Sequence, residues 1–396
     1  MTQTTFFNRF SLAGFAATLI GNGIGRFAYI ALMPALIQAG WFSKSDASLL
    51  GSATLIGYIF GAPASNWLTR YLAVGNAIRI AMLASGISYL ACSIHGMPLA
   101  WFYSWRLVAG ISGAMLMVLA PPFIVRLHQA KIKARVSGVV FSGIGLGAML
   151  SGTLIPLLLL HTVETAWVGM GMITLLATAL TWTVWSEPLT TAQDTGSKTY
   201  TDLSSAQKKV LVLTLAAYVF NAIGYLPHTM FWVDFVVREL DKSMSVGGFY
   251  WAVFGVGAAI GPIITGQLGD SIGVRKSLLV AFALKCFGVA LPLLSTTAPS
   301  LLLSSLLVGI FTPGTVTLIS IYTLECVGVS LHSRAWGLMT SAFALSQGVA
   351  SYIMAYYAPI IPSYFPLFVV GSVVLALSVG CIWFTKPPRA LTEQAA

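Results

Sequence analysis

Arg26 sits inside a long apolar stretch, "IGNGIGRFAYIALMP" (residues 20–34), about sixteen residues from where that stretch begins. A charge near the centre of a bilayer costs roughly 3 kcal/mol by insertion measurements and more in simulations. At 1.5 Å rise per residue the side chain lies too deep to reach the headgroups comfortably. It is therefore expected to face a polar interior. Asn22, Arg26, Tyr29 and Met33 follow the spacing i, i+4, i+7, i+11, which is one helix face. Asn221, Tyr225, His228 and Trp232 repeat that spacing in the second half, with Pro227 removing a backbone donor among them. Two helices thus present matching polar stripes, and binding of a ligand is the chemistry they suggest.

Other chemistry-bearing residues are few. Arg106 lies about eight residues into another apolar stretch, followed by Gly110 and Gly113. His228 is the one histidine deep in such a stretch, and Asp234 lies near the end of the same one. Either is a candidate to carry a coupling proton. Gln347 is a further candidate lining residue. No HExxH, GxSxG or paired acidic motif occurs, and no GxxxxGK[ST] loop to cradle phosphates, so neither an enzyme nor direct use of ATP is expected. The four cysteines (Cys92, Cys286, Cys326, Cys381) have no metal-like spacing and read as small apolar packing residues. No metal and no cofactor is expected.

The elements that must position these residues follow from composition. The chain has 396 residues, 57% hydrophobic and 8% charged, against roughly 25% charged in a typical soluble domain. So few charges cannot cover a soluble surface, and most of this one must face lipid. Spanning helices need about 20 predominantly apolar residues. Twelve such runs are expected at roughly 10–38, 46–69, 76–95, 98–125, 134–160, 163–185, 208–237, 245–268, 276–296, 299–325, 335–359 and 363–385. The first is too long for a cleavable leader and is expected to remain as a span. The net charge of +10 does not point to nucleic acid. With both termini cytoplasmic, fifteen of the 21 basic residues fall on that side and three (Lys44, Arg238, Lys242) on the other, as the positive-inside rule requires.

The polar stretch "SEPLTTAQDTGSKTYTDLSSAQKK" reads as a cytoplasmic linker, placed at 186–207, between six-span bundles at 1–185 and 208–396. The bundles match at an offset of 199 to 200 residues: Gly57 and Gly61 face Gly257 and Gly261, Gly110 faces Gly309, and Arg135, Gly138 and Ser142 face Arg334, Gly337 and Ser341. Duplicated halves with a site at their interface are a transporter plan.

At this point the whole chain resembles the major facilitator superfamily. "GQLGDSIGVRK" (Gly266 to Lys276) is similar to the family's signature loop, and "RLVAGISGA" from Arg106 resembles its fourth-helix motif. "GIGLGAMLSG" (143–152) is similar to the fifth-helix motif of antiporters, with Ala148 where that motif has proline. "GRFAYIALMP" resembles the bacterial YbfB/YjiJ-type branch. The resemblance implies an all-α membrane protein, twelve helices in two pseudo-symmetric bundles, in the bacterial inner membrane and working by alternating access, here expected as a monomer. It also implies that the fourth helix lines the same cavity as Arg26. Two guanidinium groups there repel unless an anion visits, and few carboxylates lie inside the spans. The expected cargo is therefore a small organic anion or amphiphile, with protons as a candidate coupling ion, bound by Asn22, Arg26, Tyr29, Arg106, Asn221, Tyr225, His228, Trp232 and Gln347. An exporter of lipophilic or cationic compounds by proton antiport, and a nontransporting membrane sensor, are the rival readings. By the same resemblance the ninth helix is peripheral, so Lys285 is expected to snorkel. Asp270, Arg275, Glu325 and Arg334 are expected to form gating charges at the cytoplasmic edge.

Exposed-edge ion pairs contribute only about 0–1 kcal/mol, which suits contacts broken in every cycle. Asp270→Asn is expected to slow turnover more than it weakens substrate affinity; transport kinetics showing the reverse would reject a gating role.

Overall fold

The computed structural model describes residues 5–129, 133–186 and 203–385, and these are helical throughout apart from short connections. Twelve rods follow in order: α1 Arg9–Gln38, α2 Lys44–Leu68, α3 Val74–Cys92, α4 Leu99–Arg126, α5 Lys133–Leu158, α6 Val163–Ser186, α7 Ser205–Gly224, α8 Met244–Ile272, α9 Val274–Leu294, α10 Ala298–Val327, α11 Val329–Tyr357 and α12 Phe365–Trp383. Among the described residues, eleven helices are long and apolar enough to cross a membrane. The other rod, α2, has 25 residues, about 37 Å at 1.5 Å per residue and enough for a hydrocarbon core of about 30 Å. Most of the expected linker, residues 187–202, lies outside the described residues.

Local chemistry sets where the rods begin. Asn8 caps α1, accepting from the Phe10 and Ser11 amides while Ser11 Oγ accepts from the Asn8 amide. Ser43, Thr162 and Ser243 cap α2, α6 and α8 through amides three residues on. A capping box between Ser204 and Gln207 starts α7 at Ser205, slightly earlier than the apolar run suggests.

Two rods are irregular, and they carry the polar stripes. Within α1 the turn Leu19–Ile24 widens to a π turn. There the chain runs so close to α5 that a Cβ on Gly23 would lie 2.8 Å from Gly147 Cα. The seventh span breaks after Gly224 and continues as short turns, Leu226–Met230, Trp232–Asp234 and Phe235–Glu239. Pro227 supplies no donor for the preceding turn, and the Phe231 amide returns to Pro227 O at 3.0 Å. The expected continuous span over 208–237 is thus two pieces hinged at Tyr225.

The internal repeat is visible as packing. A Cβ on Gly110 of α4 would stand 2.0 Å from Thr54 O of α2, and a Cβ on Gly309 of α10 would stand 2.2 Å from Phe254 O of α8. The same crossing, shifted by the repeat, holds each half together. In the signature loop Gly273 has φ +84°, a left-handed conformation that only glycine adopts freely, and this turns the chain from α8 into α9.

The halves meet along α5 and α8. A Cβ on Gly145 would lie 2.2 Å from the Ala259 amide nitrogen, and one on Gly152 would lie 2.4 Å from Gly248 O. Trp251 Nε1 donates to Ser151 Oγ across the seam at 2.8 Å, and Phe27 packs edge-on against Trp251 and Phe254. Further along, Lys44 Nζ of the first half sits 4.5 Å above the Tyr364 ring of the second. Toward the end that carries the linker, three glycines stand clear of the described residues. A Cβ on Gly138, Gly266 or Gly337 would meet no described atom within 4 Å.

Gly145→Val forces a side chain into backbone, and overpacking of this kind costs about 1–3 kcal/mol or more. It is expected to lower the unfolding temperature in detergent and to abolish transport. Gly380→Ala, in open space on α12, is expected to be neutral or to stabilise by up to about 1 kcal/mol through helix propensity. Similar melting behaviour of the two variants would contradict the packing described.

Candidate functional site

Of the two sequence stripes, Arg26 and Tyr29 line a small cleft between the halves, together with Ile30, Gly51, Thr54 and Leu55 from the first half and Thr229 and Met230 from the second, whereas Asn22, Asn221, Tyr225 and Gln347 stand behind its wall. Its walls nearly touch: the room between them is about 10 Å³, about enough for one water molecule, so a cargo enters only when the halves part. Its lining comes from the helix that follows the π turn of α1, the middle of α2, and the broken part of the seventh span.

Tyr225 is the hub. Its hydroxyl oxygen accepts from Arg26 Nη2 at 3.3 Å and from Gln347 Nε2 at 2.8 Å, which ties α1 of one half to α7 and α11 of the other. Gln347 also donates to Ala222 O at 3.2 Å. Arg26 is buried, Tyr58 and Asn22 stand beside it, and its Nε has no acceptor among the described residues. Neither does it have a carboxylate within 4 Å among them.

Lys285 does not snorkel. It is fully buried, donates to Asn221 Oδ1 at 2.9 Å and stands 3.8 Å from the Tyr225 ring centroid. The reason is its place on the inward stripe of α9 with Leu278, Ala281, Phe282, Gly288, Val289 and Pro292. That stripe is readable at helical spacing in the sequence, and it outweighs the expectation taken from the helix's place in the family.

Arg106 lies behind the cleft rather than on its wall. Its guanidinium stacks 4.5 Å from the Tyr29 ring and 6.0 Å from Trp167. Its Nε and Nη2 are buried without acceptors among the described residues, and Tyr29 is held in front by donating to Ala47 O at 2.7 Å. Arg26 and Arg106 are thus separated by Tyr29, and only Arg26 lines the space.

His228 and Trp232 point into the second half. Ser304 Oγ donates to Gly288 O at 2.7 Å, so its oxygen is left to accept from His228 Nε2 at 2.7 Å. Trp232 stacks on the imidazole at 4.3 Å and donates to Ser305 Oγ at 3.0 Å. Asp234 is fully buried and engaged, accepting from Arg238 Nε at 2.5 Å and Nη2 at 3.0 Å and from the Tyr364 hydroxyl. None of these three lines the cleft. Nearby, Glu239 accepts from the Tyr364 amide at 2.8 Å and from Ser363 Oγ, so this acidic pair ties the broken span to the α11–α12 connection.

Of the expected gating charges, Arg275 donates to Trp383 O at 2.6 Å, which joins α9 to the end of α12, and Glu325 is exposed. The side chains of Asp270 and Arg334 lie outside the described set.

A family model described as "Uncharacterised MFS-type transporter YbfB" matches residues 18–382. Among solved structures, the chain is similar to a D-xylose-proton symporter, with 15% identity, coverage of 95% of this chain and 97% of that one, and a TM-score of 0.73. It is also similar to the Escherichia coli xylose transporter XylE in an inward open conformation, with 14% identity, coverage of 97% and 98%, and a TM-score of 0.76. The same transporter in a partially occluded inward open conformation gives 13% identity, 96% and 98% coverage, and a TM-score of 0.75.

Removing one partner of a buried pair costs about 3–5 kcal/mol because the other is stranded. Arg238 keeps 24% of its side-chain surface exposed and Asp234 none. Arg238→Ala is therefore expected to destabilise more than Asp234→Asn, and the double variant less than the sum. A double-mutant cycle in thermal unfolding checks this, and additive effects would show that the pair is not coupled.

Proposed function

Given that the chain belongs to this family of MFS-type transporters, we propose that it carries a small organic anion across the bacterial inner membrane by alternating access, with Arg26 as the primary anchor. The observation that carries the reading is a buried guanidinium on the wall of the inter-half cleft with, among the described residues, no acceptor for its Nε and no carboxylate within 4 Å. Guanidinium donors match a carboxylate or phosphate in two-point geometry. A cationic cargo would meet only repulsion from Arg26 and from Arg106 and Lys285 behind it.

Alternating access follows from how the halves touch. They pack tightly around Lys44, Tyr364 and the α5–α8 crossing, and three glycines toward the end that carries the linker stand clear of the described residues. With both termini in the cytoplasm, this is an inward-facing arrangement, and the likeness to inward open XylE supports it. Return to the outward state requires the seam at Gly145 and Gly152 to pivot and the Lys44–Tyr364 contact to part. In that movement Tyr225 exchanges the Arg26 hydrogen bond for one to the cargo. Arg106 acts through Tyr29: its charge fixes the ring that forms one wall of the cleft. Proton coupling, if present, does not run through a carboxylate on the cleft wall among the described residues.

Hydrogen bonds to a charged partner contribute about 1.5–3 kcal/mol. Arg26→Gln is therefore expected to weaken binding of carboxylates by about 10- to 100-fold in a thermal-shift or calorimetric titration of the purified protein. Unchanged binding of anions, or stabilisation of the wild type by lipophilic cations instead, would overturn the reading.

A further inference from the structure

The second half holds a fully buried lysine that lies behind the cleft wall. Lys285 Nζ and the Arg26 guanidinium both stand within 6 Å of the Tyr225 ring centroid, at 3.8 and 5.9 Å. They come from opposite halves, and neither has a carboxylate within 4 Å among the described residues. Lys285 has one neutral acceptor, Asn221 Oδ1, and this bond orients the Asn221 amide so that its Nδ2 is buried without an acceptor.

Tyr225 itself has an unused donor. Its oxygen already accepts from Arg26 and from Gln347, and its O–H has no acceptor among the described residues. Around one tyrosine there are thus two groups of unpaired donors. Arg26 Nε lies on the first-half side, and Lys285 with Asn221 Nδ2 lies on the second-half side.

We infer that Lys285 is the second anion anchor of the transport site, and that the cargo carries two acid groups, one held by Arg26 and the other by Lys285 with Asn221. The inference rests on the anion reading above and names the class of anion. In the present arrangement the Tyr225 ring covers Lys285, and the hydroxyl is tethered to Arg26. An acid group that takes over the Arg26 donors frees Tyr225 from the first half, and rotation of the ring on the hinge at Gly224–Leu226 uncovers Lys285 for the second acid group. A dianion then balances both cations and bridges the halves, which a monocarboxylate cannot do. Arg106 stays behind Tyr29 and takes no part in direct contact.

The test is a binding series on the purified protein: unbranched dicarboxylates from malonate to adipate against monocarboxylates of equal carbon number. The wild type is expected to bind its best dicarboxylate about tenfold or more tighter than the matching monocarboxylate. Lys285→Met removes a charge from an apolar stripe and fills similar volume, so it is expected to fold. It should erase the dicarboxylate margin and leave monocarboxylate affinity within about twofold. Lys285→Arg should retain part of the margin, and Arg26→Gln should weaken both series. A margin that survives Lys285→Met, or equal loss of both series in that variant, overturns the inference and leaves the anion reading standing. Failure of the wild type to bind any carboxylate overturns both.

Discussion

A guanidinium cannot shed its charge in a protein, and Arg26 is held inside a membrane-spanning helix with no carboxylate within 4 Å among the described residues. Taking an ion out of water costs several kcal/mol even after the protein relaxes. Against this, Arg26 has one 3.3 Å hydrogen bond to a neutral hydroxyl and ring faces at 5.3 and 5.9 Å. Cation–π contacts contribute about 0.5–2 kcal/mol, and one hydrogen bond to a charged group about 1.5–3. These terms offset much of the cost and leave a residue that an anion can remove. A site with such a deficit binds the charge that closes it, and this constraint explains why irregular backbone gathers there. The π turn of α1 and the break at Tyr225 let polar groups approach the cleft where straight helices would present only side chains to lipid.

The same constraint shapes the seam. A cleft that holds an unbalanced cation must be shared by both halves if its occupation is to bias their relative tilt, because a ligand shifts a conformational equilibrium only by its difference in affinity for the two states. Tyr225 meets that requirement. It belongs to the second half, its oxygen receives a hydrogen from each half, and it sits at a break that allows the ring to move. The small-residue crossing of α5 with α8 supplies the pivot. Backbone there approaches backbone closely enough that no Cβ fits at Gly145 or Gly152, with the Trp251–Ser151 hydrogen bond and Phe27 packed beside the crossing.

Much of this was legible in the sequence for definite reasons. Twelve apolar runs, the repeat offset and the signature loop are patterns over many residues, and the fold carries each of them. The polar stripe on α1 was legible because an arginine in a hydrophobic run admits few environments. The stripe on α7 was half legible. Asn221 and Tyr225 face the centre, but the break beyond Tyr225 turns His228 and Trp232 toward α10, because helical spacing predicts a shared face only while the helix continues. Asp234 shows the limit of composition: its charge is met by Arg238 four residues on and by Tyr364 from a distant connection, and only the first of these is local. Lys285 departs from the peripheral place that the family resemblance implies because it belongs to the buried stripe of its own helix.

Two aromatic rings now stand in related roles on the two sides of the cleft without being repeat partners. Tyr29 covers Arg106 at 4.5 Å and Tyr225 covers Lys285 at 3.8 Å. At the repeat offset, however, Tyr225 corresponds to Arg26, and Tyr29 falls at the His228–Thr229 step. Duplication therefore supplied the scaffold but not this arrangement, and each half places a sheltered cation behind a tyrosine on different helices. The tethers differ in a way that separates their roles. Tyr29 donates to a backbone carbonyl of its own half and is fixed whatever the halves do. Tyr225 is held partly by the opposite half, so its position changes whenever the halves move. On the proposed anion reading, a positive field that is permanent on one side and uncovered by motion on the other would make the attraction for cargo depend on conformation, and that dependence would couple binding to transport.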